Sequence, residues 1–370
     1  MQRLFKNKAW VLLILIALAF VMIAGCSNNS ENASNSPAEV QIVDMAGRTV
    51  TIPGSDYLNK VFFSSPIGMI MTYSMDPDKM AGTSMELSDA ELAYMAESVS
   101  ELPYLGGIQS GAEMNKEAIV NSGAQVFFSV GPGKINESTV ADADKLQEQL
   151  NIPVVVLDGN IENAAATYEL MGKIFGQEEK AAELGAYCTN VFTDVVEKVS
   201  TIPEEDRVSV YYAEGPDGLS TEPSSSAHAA VIKYANAKNV ADDVEVKAGS
   251  GMSPVSLEQV LAWNPDVIIC WSDARGGAYS KIMSDENWAK LDAVKNGRVY
   301  VMPSLPFSWM DRPPSVNRFL GIQWLANLLY PNVYDIEINE VTKDFFKLFY
   351  NIEVNDDQVT EILQNSVAAK

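Results

Sequence analysis

The sequence predicts an α/β protein: two lobes with mainly parallel sheets, bridged by a single long helix. Residues 40–160 alternate short apolar runs with stretches of helical spacing, in the order KVFFSS, GMIMTYSM, KMAGTS, KEAIVNSG, AQVFFSV, ADKLQEQL and IPVVVLD. Alternation of this kind builds a parallel sheet covered by helices. Residues 207–303 repeat the scheme with RVSVYYAE, SAHAAVIKYANA, SLEQVLAW, PDVIICW and GRVYVMP. Between the two blocks, Leu184, Tyr187, Cys188, Val191, Phe192, Val195, Val196 and Val199 recur at helical spacing, with Pro203 just beyond. That pattern predicts one helix of over twenty residues, roughly 35 Å long, which permits little hinge bending.

A length of 370 residues exceeds one ordinary core, and 47% hydrophobic against 20% charged residues is a globular balance. The expected division is a leader at 1–25, a tether at 26–40, a Rossmann-like lobe at 41–160, a helical segment with the bridging helix at 161–203, and a second such lobe at 204–370. In the leader, Arg3, Lys6 and Lys8 precede an apolar run from Ala9 to Ala24, as in a secretory signal peptide. About sixteen apolar residues is short for a membrane span. The polar stretch SNNSENASNSP then suits a flexible tether. Removing the leader takes away three basic and no acidic residues, so the net charge moves from −23 to −26 (23 basic against 49 acidic). So acidic a body is not expected to bind nucleic acid. Cys188 and Cys270 lie in apolar segments without a CxxC partner and read as buried free thiols.

NKEAIVNSGAQVFFSV (Asn115 to Val130) and SLEQVLAWNPDVIICW (Ser256 to Trp271) share one layout, with Glu117 and Glu258 at matching positions near the start of a short helix that feeds a strand. Favourable interaction with the helix N-terminus explains each glutamate locally. Matching places on two related lobes also suit docking to a partner with twofold symmetry. Spacing alone leaves both readings open.

In parallel α/β sheets the loops after the strands line the ligand site. This rule nominates Ser65, Tyr104 and Gly107 in the first lobe, and Tyr212, Trp271, Arg275, Trp309, Met310 and Arg312 in the second, with His228, near the start of a helix, as a separate cleft candidate. Trp309, Met310 and Arg312 fall in the proline-stiffened PFSWMDRPPS, where a core role for all three is awkward. Arg312, then Arg275, are the first choices for an anionic group on a ligand, the alternative being a pair between Arg312 and Asp311 or another carboxylate. Tyr104, Tyr212, Trp271 and Trp309 are candidate walls for a flat or greasy chelate. His228 is the sole histidine, and a lone histidine is more often structural than a ligand. No cluster of His, Cys and carboxylates offers a direct metal site, so a metal would arrive wrapped in a chelator. GPGK (Gly131 to Lys134) lacks phosphate-loop spacing and reads as a turn.

The ending IAGC (Ile23 to Cys26) resembles the lipobox of bacterial lipoproteins, which implies lipidation of Cys26. Together with VDMAGRTVTIP (Val43 to Pro53), the doubled glutamate segments, the bridging helix and NGRVYVMP (Asn296 to Pro303), the chain resembles the helical-backbone, class III substrate-binding lipoproteins of ABC importers, over residues 41 to about 330. The resemblance implies a monomeric capture protein held outside the membrane by its lipid, without a resident cofactor. Glu117 and Glu258 would then meet arginines on the two subunits of a permease dimer that works with its ATPase. It also implies an iron(III) complex of siderophore type as ligand, with cobalamin, haem, a nickel complex or molybdate/tungstate as alternatives. The rival class is a secreted carboxylate-based hydrolase; GxSxG, HExxH and a Cys/His pair are all missing from the sequence.

Overall fold

The computed structural model describes residues 39–107, 114–246 and 251–368. Cys26, the leader and nearly all of the tether lie outside the described residues.

The chain enters through an antiparallel hairpin, β1 (Glu39–Val43) and β2 (Thr49–Pro53). Asp44 organises its turn: one carboxylate oxygen accepts from the Ala46 and Arg48 amides at 3.0 and 2.9 Å, while the other accepts from Arg48 Nη1 at 2.9 Å and the Val156 amide at 3.1 Å. This buried aspartate therefore clips the hairpin to the first sheet.

That sheet contains β3 (Val61–Phe63), β4 (Val126–Gly131) and β5 (Val154–Asp158), all parallel and in that order. Its strands are almost wholly buried, as unbroken apolar runs such as VFF and VVVLD require of a sheet covered on both faces. Helices α1 (Pro66–Met75), α2 (Lys116–Asn121), α3 (Glu137–Leu150) and α4 (Ala164–Phe175) surround it. Gly176, at φ +66°, ends α4 and turns the chain into α5 (Glu178–Val191).

Beyond α5 the helix continues through a π-helical turn, Phe192–Val196, and a last turn, Glu197–Ser200. Leu184, Cys188, Val191, Val195 and Val199 form its buried stripe. The periodicity thus located the long helix; the π turn left no mark in it.

The second sheet, also parallel, contains β6 (Ser209–Ala213), β8 (Lys238–Asn239), β10 (Val267–Cys270) and β11 (Val299–Val301), in the order β11-β10-β6-β8. A small antiparallel pair, β7 (Ser220–Thr221) with β9 (Ser253–Pro254), stands beside it. The helices here include α6 (Ala230–Tyr234), α7 (Leu257–Trp263) and α8 (Tyr279–Ser284). Cys188 and Cys270 are both buried free thiols.

The halves are joined more broadly than by a single rod. Helices α9 (Asn317–Leu329), α10 (Ile338–Phe345) and α11 (Asp356–Ile362) close the chain, and they reach back to the first lobe. Tyr73 Oη donates to the Tyr350 carbonyl at 2.7 Å, Tyr94 Oη donates to Glu361 at 2.7 Å, and the Tyr168 and Phe349 rings pack edge to face. One apolar core runs from the first sheet through the long helix to one face of the second sheet. A separate core around Tyr211, Ile268 and Trp288 covers the other face.

Candidate ligand-binding site

At the carboxyl end of the first sheet, Ser64 and Ser65 tie β3 to β4: both hydroxyls donate to the Val130 carbonyl, at 3.0 and 2.8 Å. Ser65 also caps α1 and is fully buried. Gly107 approaches this rim closely, because a Cβ on it would lie 3.1 Å from the carbonyls of both Ser64 and Ser84. Tyr104 is 43% exposed nearby in sequence.

The second lobe concentrates its charge at one place. Arg312 Nη1 donates to Glu214 and, at 2.7 Å, to Asp311, and Nη2 donates to Glu222 at 2.6 Å. Tyr212 Oη donates to Asp311 at 2.7 Å and accepts from the Trp271 indole at 2.7 Å; Ser308 donates to the second Asp311 oxygen at 2.7 Å. Arg275 donates to the Arg312 carbonyl at 2.5 Å, and both guanidiniums lie within 6 Å of the Trp271 ring, at 5.2 and 5.6 Å. Tyr212, Trp271, Arg275 and Arg312 are thus brought together, around Asp311, the alternative partner of Arg312 in the sequence reading, and around Glu214 and Glu222, which the sequence did not single out.

Charge balance shapes this cluster. Three carboxylates face two guanidiniums. Burial and the neighbouring Asp311 push Glu214 up to about 9, against the pull of Arg312. Asp311 is fully buried, which opposes its ionisation, yet Arg275 and Arg312 hold it down at about 2. Burial and Asp311 thus favour the protonated form of Glu214, and the two guanidiniums favour the ionised form of Asp311, in one shared titration. Among the described residues His228 Nδ1, which is buried, finds no hydrogen-bond partner, and burial followed by Arg312 lowers its pKa.

Trp309 and Met310 differ from expectation: both are fully buried in the main core rather than standing on a wall of the cleft. The reason lies in Gly321, where any Cβ would collide with the Trp309 carbonyl. A bare α-carbon at that point lets the loop backbone lie directly on α9, next to where these two side chains are buried. Among the described residues no group of His, Cys and carboxylates is arranged to hold a metal ion.

Glu117 and Glu258 are exposed in the first turns of α2 and α7. The capping bonds there come from other side chains: Asn115 accepts from the Ala118 amide at 2.9 Å, and Ser256 with Gln259 forms a reciprocal capping box. Neither glutamate carboxylate accepts a hydrogen bond among the described residues, so both are left to face solvent.

Residues 100–306 match the family model described as periplasmic binding protein, more than half of the chain. The chain belongs to that family. This periplasmic binding protein is 25% identical over 343 residues to the molybdate-binding protein MolA of Haemophilus influenzae, covering 85% of this chain and 92% of MolA. It is 24% identical to YvrC of Bacillus subtilis, an uncharacterised ABC transporter substrate-binding lipoprotein, covering 89% of this chain and 99% of YvrC. In solved structures it is similar to an ABC transporter solute-binding protein from Sulfurospirillum deleyianum, with a TM-score of 0.79, 28% identity, and coverage of 88% and 99% of the two chains. Its relatives are solute-binding transport proteins rather than enzymes, and the chain is a substrate-binding protein of an ABC transporter. No helix among the described residues is long and apolar enough to cross a membrane.

Proposed function

We propose that this substrate-binding protein is anchored outside the membrane through a lipid on Cys26, captures an iron(III) complex of siderophore type between its lobes, and delivers it to a permease dimer with its ATPase. The observation that carries the delivery role is the matched pair Glu117 and Glu258, each exposed beside a separately made helix cap, one on each half. Trp271, with the Arg275 and Arg312 guanidiniums over its ring, supports a chelate ligand with polar edges, since the two cations gather at one loop cluster of the second lobe. Binding needs no resident cofactor, and the protein acts as a monomer. A second reading, molybdate as ligand, is favoured by the similarity to MolA over most of both chains.

Native mass spectrometry of the mature chain against ferric siderophores, cobalamin, haem, nickel complexes, molybdate and tungstate tests the proposal. One equivalent of a ferric siderophore retained and released unchanged is the expected result. Retention of molybdate alone favours the second reading, and turnover of a bound compound overturns the capture role.

A further inference from the structure

The chain passes between the halves through the long helix and again through its tail, and a π-helical turn lies on each passage. The first, Phe192–Val196, interrupts the long helix between α5 and its last turn. The second, Phe346–Tyr350, follows α10. A π turn spaces its hydrogen bonds one residue wider than an α turn, and it is one of the few places where a helix kinks. Such turns hold well under 1% of residues in globular proteins, so a pair of them on both passages points to a shared role.

On either side of the first turn the long helix is fastened to a different half. Before it, α5 packs along α4 of the first lobe, so closely that a Cβ on Gly172 would lie 2.5 Å from that of Ala181. After it, the Val199 carbonyl accepts from Asn236 Nδ2 at 2.7 Å, just beyond α6 of the second lobe, and Lys198 Nζ lies 5.4 Å from the centre of the Tyr334 ring. The second turn is fastened in the same way. Its Tyr350 ring packs on Tyr73 and its Phe346 ring on Tyr94, both in the first lobe, while α10 before it packs on α9. Farther along the tail, the Asn365 carbonyl accepts from the Val301 amide of β11 at 2.8 Å and the Ser366 carbonyl from the Trp324 indole of α9 at 2.7 Å. Movement of one half against the other is therefore taken up between these fixings, at the two turns.

A side-chain bond joins the halves beside the first turn. Tyr234 Oη, at the end of α6, donates to the Glu162 carboxylate, just before α4. The Tyr234 ring also packs edge-on against Phe192 of the π turn, with centroids 4.9 Å apart, and Phe192 packs in turn on Phe319 of α9 at 5.4 Å. One second-lobe side chain thus touches both the first lobe and the turn. We propose that the two π turns are the ends of one hinge between the halves, and that the bond from Tyr234 to Glu162 is a stay that sets how far they rest apart. This motion belongs to the chain itself, whichever solute it captures.

The test uses the ligand-free mature chain with Cys26→Ser, which leaves the buried Cys188 and Cys270 as its native thiols. Spin labels at Glu148→Cys in α3 and Lys281→Cys in α8, both exposed positions, report the separation of the halves by pulsed electron paramagnetic resonance. Tyr234→Phe keeps the ring against Phe192 and removes only the hydroxyl; it is expected to broaden or lengthen the distance distribution. An unchanged distribution overturns the stay. Should Tyr234→Phe not fold, Glu162→Ala removes the same bond from an exposed position and is judged by the same distances. Hydrogen exchange read by mass spectrometry, on a chain unaltered in either turn, is expected to run about tenfold or more faster, relative to intrinsic rates, in both π turns than in the helical turns flanking them. Equal protection through either passage overturns the hinge. No ligand is present in these measurements, so failure of the capture role would change neither result.

Discussion

Tyr212 Oη donates to Asp311 Oδ2 across 2.7 Å, fastening the end of β6 to the loop that follows β11. The same carboxylate oxygen receives Arg312 Nη1 at 2.7 Å. This junction holds the second-lobe loops around Trp271 in place, so its first duty is structural.

Replacing Arg312 with Ala leaves Asp311, Glu214 and Glu222 buried without their shared cation. Removing one member of a buried ionic network costs roughly 3 kcal/mol or more. Urea unfolding of the ligand-free variant should show that loss, and an unchanged midpoint would mean the network contributes no net stability.

Glu214 makes stability depend on pH. Its folded-state pKa, about 9, lies above the unfolded value, so its contribution is fully present below about pH 4.3 and declines as pH rises until the folded group titrates. Asp311 acts in a separate window: held at about 2, it stabilises above its unfolded value and loses that effect as pH falls through 2. Between pH 5 and 8, Glu214→Gln should make the unfolding free energy less steeply pH-dependent than wild type, by at most about 1.4 kcal/mol per pH unit. Parallel profiles for the two proteins would contradict the proton assignment.

Glu117 and Glu258 carry no capping bond, so the double change to Ala should alter stability by less than about 0.5 kcal/mol. Ligand affinity should stay the same while uptake through the reconstituted permease is lost. By comparison, Ser256→Ala removes a true cap and should cost about 1 kcal/mol in thermal or denaturant unfolding. A double variant that transports normally would remove these residues from the docking surface.

On the proposed anchorage through a lipid on Cys26, Cys26→Ser should release the protein from membranes into the soluble fraction. Fractionation that still finds the variant on membranes points to another anchor.

Both parallel sheets and the long helix were legible because each follows from local periodicity: VFF and VVVLD as buried strands, and Leu184 through Val199 as a helical stripe. The site was legible only where single loops reveal it, as at Trp271, Arg275 and Arg312. Glu214 and Glu222 were missed, since they meet Arg312 across 98 and 90 residues of sequence and no local pattern announces such a meeting. The position of Glu214 directly after β6 was the available signal. Trp309 and Met310 are buried in a loop whose backbone lies against Gly321, a close approach across sequence that no local pattern announces.

The return of Tyr350 and Glu361 to Tyr73 and Tyr94 sets the order in which the molecule can be finished. Emerging from the ribosome, the amino-terminal half lacks these late partners and keeps aromatic surface uncovered until the closing segment arrives. The first lobe is therefore completed by residues made more than 250 positions later.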